Sequence, residues 1–463
     1  MHINIFVNFA DIHPENRTFR GEMSKLAVYR LYPENIIVGE HPYIIFIPYM
    51  KKIKIGILGL ALRSPRSVGG NLGCYALGYS FFEILNTIAK QNSIHIQIVR
   101  IRSLNWKGWG KQVIKHLLCR KDAISDYYSG LYQNVEFSTG DVLKLHGHRF
   151  LMPSVKKCDL VFDFTAGDSF TDIYGQERFY DRTGLKKKVI DSGISLILGS
   201  QTIGPFKDSN VQKYATDVIE RCKAVFVRDS QSKDYVEQIS KAKPILTTDV
   251  AFFLPYEKKE KQGSIKRVGF NPSGLLWMGG YDGKNQFGLT VDYQDYCKKI
   301  IQFLQKQGYE VHLILHAYSK TIKKGYYHAD NDKLAVDALH EIFPNTIVAP
   351  YFATPMEAKS YISGMDLFIG ARMHATIAAI SSGVLVIPFS YSRKFEGLFS
   401  SLDYPYVVEG TKWDTRKAID TTIEWVEKID EVSKCVFKSH SIIYNKNSFA
   451  LMEFEKIINE FVK

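Results

Sequence analysis

Residues 366–391 of this 463-residue chain limit its fold more than any other stretch. The apolar run Leu367–Ile369 predicts a buried strand, and Val384–Phe389 predicts the next one. Between them, Ala375–Ser381 carries small and apolar residues at helical density, with a glycine on each side of it. A strand, a helix and a second strand in this order form the unit from which parallel α/β sheets are built.

The alternation of strand and helix continues along most of the chain. Further strands are predicted at Ile53–Leu58, Ile94–Ile101, Leu160–Phe164, Ile194–Leu198, Ala224–Val227, Arg267–Phe270, Glu310–Leu315 and Thr346–Ala349. Helices are predicted at Cys74–Ala89, Asn210–Arg221, Ser232–Ile239, Tyr293–Lys306, Lys333–Ile342, Pro355–Ile362 and Phe449–Phe461. Residues 69–73 are predicted to form a loop. Alternation at this spacing is typical of parallel sheets covered by helices on both faces.

The chain is longer than one hydrophobic core usually supports, so two α/β lobes are expected. Strand–helix alternation starts just after Met50 and restarts after the charged run Glu257–Lys261. We predict two Rossmann-like lobes that face each other across a cleft, with a last helix that crosses back onto the first lobe. The predicted parts are an extension (1–49), a first lobe (50–260), a second lobe (261–430) and a C-terminal segment (431–463).

The charge balance favours an anionic partner. Sixty Lys and Arg against 48 Asp and Glu give a formal net charge of +12, which suits nucleic acid, an anionic membrane face or a phosphorylated small molecule. No RNA-binding signature, zinc finger or Arg-rich arm is present, so we expect no nucleic acid partner. The six cysteines are scattered without a Cys-x-x-Cys pair, which predicts reduced thiols and no metal site.

The sequence predicts a cytoplasmic protein with at most a peripheral membrane contact. No apolar stretch reaches the roughly 18 residues that span a bilayer, and the amino terminus lacks a basic-then-apolar signal peptide. In the segment Trp106–Lys121, tryptophans lead into an apolar face flanked by basic residues. Two interpretations stay open for it. The segment either rests on an anionic membrane surface, on the inner face, or packs on the core with a solvated basic face, which is favoured.

Ligands bind open parallel sheets at the carboxyl ends of the strands. Arg372 and His374 stand where the strand ending near Gly370 meets the next helix. Free backbone N–H groups and the positive end of the helix dipole lie at such a junction, so an anion binds there at low cost. Because two bulky polar residues have little packing role before an alanine-rich helix, we interpret them as part of a site for an anionic substrate.

Other polar residues and glycines also follow predicted strands. These further candidate binding residues are Asn71, Gly167, Asp168, Asp172, Gly204, Arg228, Asn271, Ser273, His316, Ser390, Tyr391 and Lys394. Asp168 and Asp172 equally suit a turn anchor, and His316 suits a satisfied place in the core. Either Asp229 or Ser230 suits the cap of the next helix. The glycines of the 69–73 loop match no common phosphate-loop spacing.

One set of motifs resembles the polysaccharide pyruvyl transferase family. Its main parts are Gly370-Ala-Arg-Met-His-Ala-Thr-Ile, Gly383-Val-x-Val-Ile-Pro and Ser390-Tyr-x-x-Lys394. Supporting motifs, in the family's order, are Gly199-Ser-Gln-Thr-Ile-Gly-Pro205, Val227-Arg-Asp-Ser-x-Ser232, Asp249-Val-Ala-Phe252, Asn271-Pro-Ser273 and His316. The similarity covers about residues 50–400. The chain departs from the family at Ala166-Gly-Asp168, where a Gly-Gly-Gly run is usual, and at Cys74, where an acidic residue is common.

The resemblance implies a fold similar to the two-lobed GT-B glycosyltransferases. It also implies transfer of a pyruvyl group from phosphoenolpyruvate to two hydroxyls of a polysaccharide or lipid-linked oligosaccharide, as a cyclic ketal. Arg228, Arg372 and His374 would hold and activate phosphoenolpyruvate, with His374 as the candidate acid. This chemistry needs no redox cofactor and no metal. Two alternatives stay open: a GT-B glycosyltransferase that uses a sugar nucleotide, and a non-catalytic assembly protein of the same fold.

Overall fold

The computed structural model describes part of the chain. The described residues are 4–5, 29–30, 51–62, 69–105, 107–108, 111, 122–132, 134–146, 148–260, 266–319 and 330–462. The chain divides into two compact units, Met1–Lys51 and Lys52–Lys463. In the first unit, strands β1 (Asn4–Ile5) and β2 (Tyr29–Arg30) pair antiparallel. The rest of the predicted extension at 1–49 lies outside the described residues.

A parallel sheet forms the first lobe. The strands from residue 51 to residue 246 are β3 (Lys51–Leu58), β4 (Gly69–Asn71), β5 (Ile94–Asn105), β6 (Val135–Leu145), β7 (His148–Leu151), β8 (Leu160–Asp163), β9 (Ser195–Gln201), β10 (Ala224–Val227) and β11 (Ile245–Leu246). All of these except β4 form one sheet in the order β11-β10-β9-β8-β3-β5-β6-β7. The pairs β3–β8, β8–β9, β9–β10, β10–β11 and β5–β6 are parallel, and the edge hairpin β6–β7 is antiparallel.

Helices and short turns cover this sheet. The helices are α1 (Leu72–Asn92), α2 (Ala123–Ser129), α3 (Pro153–Lys156), α4 (Gln176–Asp191), α5 (Ser209–Glu220) and α6 (Ser230–Ile239), and the 3₁₀ turns are Thr165–Gly167 and Val250–Phe253. Every residue of β8 is buried, as expected for a central parallel strand with helices on both faces. Asp229 caps α6, because its carboxylate accepts the backbone N–H of Ser232 at 2.7 Å. The capping interpretation of Asp229 is therefore confirmed.

A second parallel sheet forms the second lobe. Its strands and the neighbouring short strand β14 are β12 (Arg267–Asn271), β13 (Glu310–Leu313), β14 (Ala317–Ser319), β15 (Ile347–Val348), β16 (Leu367–Gly370), β17 (Leu385–Ser390) and β18 (Val408–Glu409). All except β14 pair in parallel, in the order β15-β13-β12-β16-β17-β18. The helices are α7 (Gly274–Trp277), α8 (Tyr293–Lys306), α9 (Asp332–Ile342), α10 (Pro355–Ile362), α11 (Met373–Ser381), α12 (Arg393–Ser400) and α13 (Thr415–Glu427). Two such sheets confirm the predicted α/β class with Rossmann-like lobes.

A short ribbon joins the two lobes. Strand β4 pairs antiparallel with β14, with Asn71 opposite Ala317 and Gly69 opposite Ser319. The backbone N–H of Leu72 extends this ribbon by donating to the carbonyl of His316 at 2.9 Å. The prediction of a loop at 69–73 is therefore wrong. These residues form a strand and the start of α1, because their backbone groups find partners on the other lobe.

The last helix returns to the first lobe. Helix α14 runs from Ile429 to Asn459, so the prediction of a helix that starts at Phe449 placed its beginning too late. Its fully buried Phe454 lies with its ring centre 4.5 Å from that of Phe226 and 5.7 Å from that of Phe81. The prediction missed residues 429–448 because the polar residues and lysines of this part make its apolar face hard to recognise. That apolar face packs on the second lobe.

Candidate active site

Strand β16 and helix α11 place Arg372 at a helix start. Strand β16 ends at Gly370, α11 begins at Met373, and Arg372 is the N-cap residue. The backbone N–H of Arg372 donates to the side-chain oxygen of Asn271 at 3.1 Å, and the side-chain amide of Asn271 donates to the carbonyl of Ile314 at 2.8 Å. Asn271 thus joins the carboxyl ends of β12, β13 and β16. Ligands bind open parallel sheets at this edge.

The side chain of Arg372 is buried and held by two carboxylates. Its Nε and Nη2 donate to Oδ1 of Asp332 at 2.9 and 2.6 Å, and its Nη1 lies 2.5 Å from Oδ1 of Asp330. The other oxygen of Asp332 accepts the backbone N–H groups of His316 and Ala317 at 3.0 and 2.8 Å. Burial opposes the charged form, but the charges of Asp332 and Asp330 raise the pKa of Arg372 above its ordinary value.

Arg228 brings a second buried cation from the first lobe. Its Nη1 donates to Oδ2 of Asp249 at 2.5 Å, and its Nε donates to the hydroxyl of Thr202 at 2.9 Å. A side-chain carbon at Gly167 would lie 3.2 Å from Nη1 of Arg228, so the guanidinium lies against this stretch of backbone. Burial lowers the pKa of Arg228, but the charges of Asp249 and Asp168 raise it overall.

His374 lies at the junction of the lobes. Its Nε2 is buried, is 3.8 Å from Oδ2 of Asp249, and has no hydrogen-bond partner within the part of the chain that the structure describes. Its ring packs on the first turn of α1, where a side-chain carbon at Gly73 would lie 2.5 Å from Nδ1. Burial lowers the pKa of His374 to about 4, the charge of Asp249 opposes this shift, and the charges of Arg228 and Lys394 add to it. The imidazole is therefore neutral at pH 7.

His316 is a second neutral imidazole next to these groups. It is buried where β13 leads into β14, and its backbone forms part of the inter-lobe ribbon. Burial, with smaller contributions from His374 and Arg372, lowers the pKa of His316 to about 3. His316 is thus close enough to His374 and Arg372 for these residues to shift its pKa. Its side chain is also buried, as the core interpretation of the sequence predicted.

Lys394 and Asp168 form an ion pair between the lobes. Nζ of Lys394, on α12, lies 3.1 Å from Oδ2 of Asp168, and the hydroxyl of Tyr174 donates to the same oxygen at 3.3 Å. Nζ also lies 5.7 Å from the ring centre of Tyr391. Burial raises the pKa of Asp168, but the charges of Lys394 and Arg228 lower it overall, so this carboxylate is ionised.

Two predicted residues serve the loops of the first lobe. The side chain of Asn71 caps α1 by accepting the backbone N–H of Cys74 at 3.2 Å. The carboxylate of Asp172 accepts the backbone N–H groups of Lys207 and Asp208 at 2.9 to 3.1 Å. The turn-anchor interpretation of Asp172 matches this geometry, since both of its oxygens are engaged by the loop.

Three further predicted residues have structural contacts of their own. Gly204 has a φ of 68°, and a side-chain carbon there would lie 2.2 Å from the ring of Tyr235. The hydroxyl of Ser390 donates to the carbonyl of Ser392 at 3.3 Å. The hydroxyl oxygen of Ser273 is buried without a hydrogen-bond partner among the described residues. Only Ser273 of these three therefore offers a buried polar group that a ligand would satisfy.

The sequence analysis missed the acidic side of the site. Asp249, Asp330 and Asp332 pair with the predicted cations, and Tyr174 contacts Asp168. Asp249 begins the motif Asp249-Val-Ala-Phe252, but the sequence predicts no strand before it, because β11 has only two residues. No sequence pattern identifies Asp330 and Asp332, because they approach Arg372 only through the packing of β14 and α9.

Other features of the described residues lie apart from this cluster. Among them, no group of three or more His, Cys, Asp or Glu side chains is arranged to hold a metal ion. No described helix has both the length and the apolar character needed to cross a bilayer. A cavity of about 800 Å³ lies at the other end of the second sheet, near Arg267, His312 and Tyr361, and contains none of the predicted site residues.

Comparison with known families places these motifs in one group. A model of the family described as polysaccharide pyruvyl transferase matches residues 71–393. The match covers more than half of the chain and includes every predicted site residue except Lys394, which directly follows it.

Solved structures with the same general architecture are only distantly similar. A putative UDP-N-acetylglucosamine 2-epimerase from Listeria monocytogenes is 10% identical, with a TM-score of 0.49 over 86% of this chain and 94% of its own. Sucrose-phosphate synthase from Thermosynechococcus elongatus is 8% identical, with a TM-score of 0.48 over 88% of this chain and 98% of its own. The fold assignment rests on the two parallel sheets themselves, since both scores lie below 0.5.

Proposed function

Since this chain belongs to the polysaccharide pyruvyl transferase family, we propose that it transfers a pyruvyl group from phosphoenolpyruvate to two hydroxyls of a sugar, forming a cyclic ketal. One observation carries the proposal. Arg228 and His374 meet the same carboxylate from opposite lobes, and Arg372 stands two residues before that histidine. A fixed cation on each lobe, with a titratable imidazole beside the pair of Arg228 and Asp249, suits a small substrate with two anionic groups.

The two arginines suit the two anions of phosphoenolpyruvate. The planar guanidinium pairs in a bidentate way with carboxylates and phosphates, which favours arginine over lysine for both groups. Asp330, which pairs with Nη1 of Arg372, is the more exposed of the two carboxylates that hold this arginine, at 29% against 0% for Asp332. Substrate would displace Asp330 at the solvent side, while Asp332 keeps the guanidinium in place.

The chemistry begins with a proton from the imidazolium of His374. The proton adds to C3 of phosphoenolpyruvate and leaves a cation at C2, which one sugar hydroxyl attacks through its oxygen. The C2–O bond to phosphate then breaks, inorganic phosphate leaves, and the second hydroxyl attacks C2 to close the ketal. Of the two hydroxyl protons, one balances the proton taken by C3 and the other leaves with phosphate.

His374 must gain a proton before it can act as the acid. Its pKa in the free protein is lowered to about 4, mainly by burial. An anion about 4 Å away stabilises the imidazolium by about 4 kcal/mol at an effective dielectric constant of 20. Bound phosphoenolpyruvate would therefore raise the pKa of His374 well above its value in the free protein. The substrate thus helps to create its own acid.

The acceptor would enter beside the ion pair of Lys394 and Asp168. Tyr174 contributes an aromatic face and a hydroxyl at this point, and 38% of this residue is exposed. An aromatic face with adjacent charged groups suits a sugar ring, either in a glycan or in a lipid-linked saccharide. A cytoplasmic location belongs to the same proposal. The predicted contact of Trp106–Lys121 with the inner membrane face falls outside the described residues, apart from 107–108 and 111.

Phosphate release from phosphoenolpyruvate tests the function. Purified protein is incubated with phosphoenolpyruvate and a panel of glycans and lipid-linked saccharides, and product is identified by a mass increase of one pyruvyl ketal. We expect phosphate release that requires an acceptor and is lost in His374→Gln at an unchanged melting temperature. Stabilisation against heat by a nucleotide sugar, with none by phosphoenolpyruvate, would instead favour the glycosyltransferase alternative.

A further inference from the structure

Asp249 connects charged groups of the two lobes. Its Oδ2 is 2.5 Å from Nη1 of Arg228 and 3.8 Å from Nε2 of His374. Its Oδ1 accepts the backbone N–H of Ala251 at 2.8 Å, and the residue is completely buried. The carboxylate is fixed in place, because it caps the 3₁₀ turn that follows β11.

Charged groups of both signs act on the imidazole of His374. The other charged or titratable groups that act on it are Arg228 and Asp168 from the first lobe and Lys394 and His316 from the second. The two cations oppose its protonation, and the contribution of Asp168 is smaller than that of Asp249. Asp249 is thus the strongest of these groups that favours the imidazolium.

We propose that Asp249 is a positioning residue with two roles. It stabilises the protonated form of His374, and it holds Arg228 towards the phosphoenolpyruvate anion that this histidine protonates. This inference rests on the function proposed above. Nε2 of His374 is buried with no hydrogen-bond partner among the described residues, and a buried nitrogen of this kind is unfavourable. A proton on Nε2 gives that atom a partner, since closing the 3.8 Å gap by less than about 1 Å makes a charge-assisted hydrogen bond.

The pH dependence of turnover distinguishes this role from a structural one. Asp249→Asn keeps the shape of the side chain and the oxygen that caps the 3₁₀ turn, but it removes the charge. We expect the high-pH limb of kcat to move to lower pH by at least about one unit, which is a tenfold loss above that limb. KM for phosphoenolpyruvate should not rise, because Arg228 loses a competing anion. An equal loss of kcat at every pH would mean a structural role and would overturn the proposal.

Asp229→Asn is the matched control. Asp229 is also buried, and its charge acts on Arg228, but it caps α6 and is not one of the main groups that shift the pKa of His374. Its variant should keep the wild-type pH profile. A shift as large as that of Asp249→Asn would show that any nearby buried carboxylate has this effect, which would also overturn the assignment.

A measurement without substrate separates this inference from the proposed function. The imidazole nitrogen shifts of His374, assigned by comparison with His374→Gln, are followed by NMR from pH 8 down to the limit at which circular dichroism shows an intact fold. The titration midpoint should lie lower in Asp249→Asn than in the wild type. Equal midpoints overturn the role of Asp249, whereas wild-type protein that never releases phosphate from phosphoenolpyruvate overturns the proposed function alone.

Discussion

Gly73 decides whether His374 can reach the site. A methyl group at residue 73 would lie 2.5 Å from Nδ1 of His374 and 2.9 Å from its Cβ and Cγ. Two of these atoms are next to the main chain of α11, so the ring cannot simply swing away. Overpacking of this kind costs about 1–3 kcal/mol, whereas alanine in place of glycine inside a helix gains about 0.5–1 kcal/mol. We therefore expect Gly73→Ala to destabilise the protein by about 1–2 kcal/mol.

A double-mutant cycle separates the two contributions. In a His374→Gly background all three of the close atoms are absent, so Gly73→Ala should stabilise the protein there by about 0.5–1 kcal/mol. The free energy of unfolding is measured in urea for the four proteins, and phosphate release is measured for the two that keep His374. Stabilisation by Gly73→Ala in both backgrounds would refute the contact between α1 and His374.

Two further predictions concern the candidate site, and a third concerns Lys359, a buried lysine of α10. Binding of phosphoenolpyruvate at pH 7 should take up a proton in wild-type protein but not in His374→Gln, as counted by calorimetry in buffers of different ionisation enthalpy. Because binding raises the pKa of His374, the added affinity is complete below about pH 4 and is lost as the pH rises through the pKa of His374 in the complex. Arg372→Lys should lower kcat/KM for phosphoenolpyruvate about 10–100-fold, since lysine cannot keep the bonds to Asp332 and pair with substrate; activity within threefold of wild type would contradict the clamp. Lys359→Met should stabilise the protein by about 1–3 kcal/mol at pH 6 and much less at pH 10. Burial lowers the pKa of Lys359 to about 7, so the folded state binds this proton less tightly than the unfolded state does. An equal change in the free energy of unfolding in urea at both pH values would argue against this reasoning.

Strand–helix alternation predicted five strands of each sheet, because buried parallel strands are runs of apolar residues, but it missed β6, β7, β11 and β18. The predicted strand Ala224–Val227 and the predicted helices Tyr293–Lys306 and Pro355–Ile362 have the bounds seen in the structure. Strand β4 could not be predicted in this way. Its residues are Gly69, Gly70 and Asn71, which have little strand propensity and pair only because β14 of the other lobe is beside them.

The candidate site was predictable in its cations but not in its pairing. Arg228 and Arg372 each follow a clear strand, so the rule for parallel sheets identifies them. The sequence does not show that Asp332 lies beside Arg372, forty positions away, because that contact depends on how α9 packs after β14. Nor does it reveal that a glycine of α1 makes room for the ring of His374.

The return of α14 to the first lobe affects how the chain folds during synthesis. Phe81 and Phe162 belong to early parts of the first lobe, yet Phe454 covers them both, at ring-centre distances of 5.7 and 5.9 Å. A ribosome delivers the early residues long before this cover exists, so their aromatic surface stays open to solvent or to a chaperone until the second lobe has been made. The first lobe is therefore translated first but completed last.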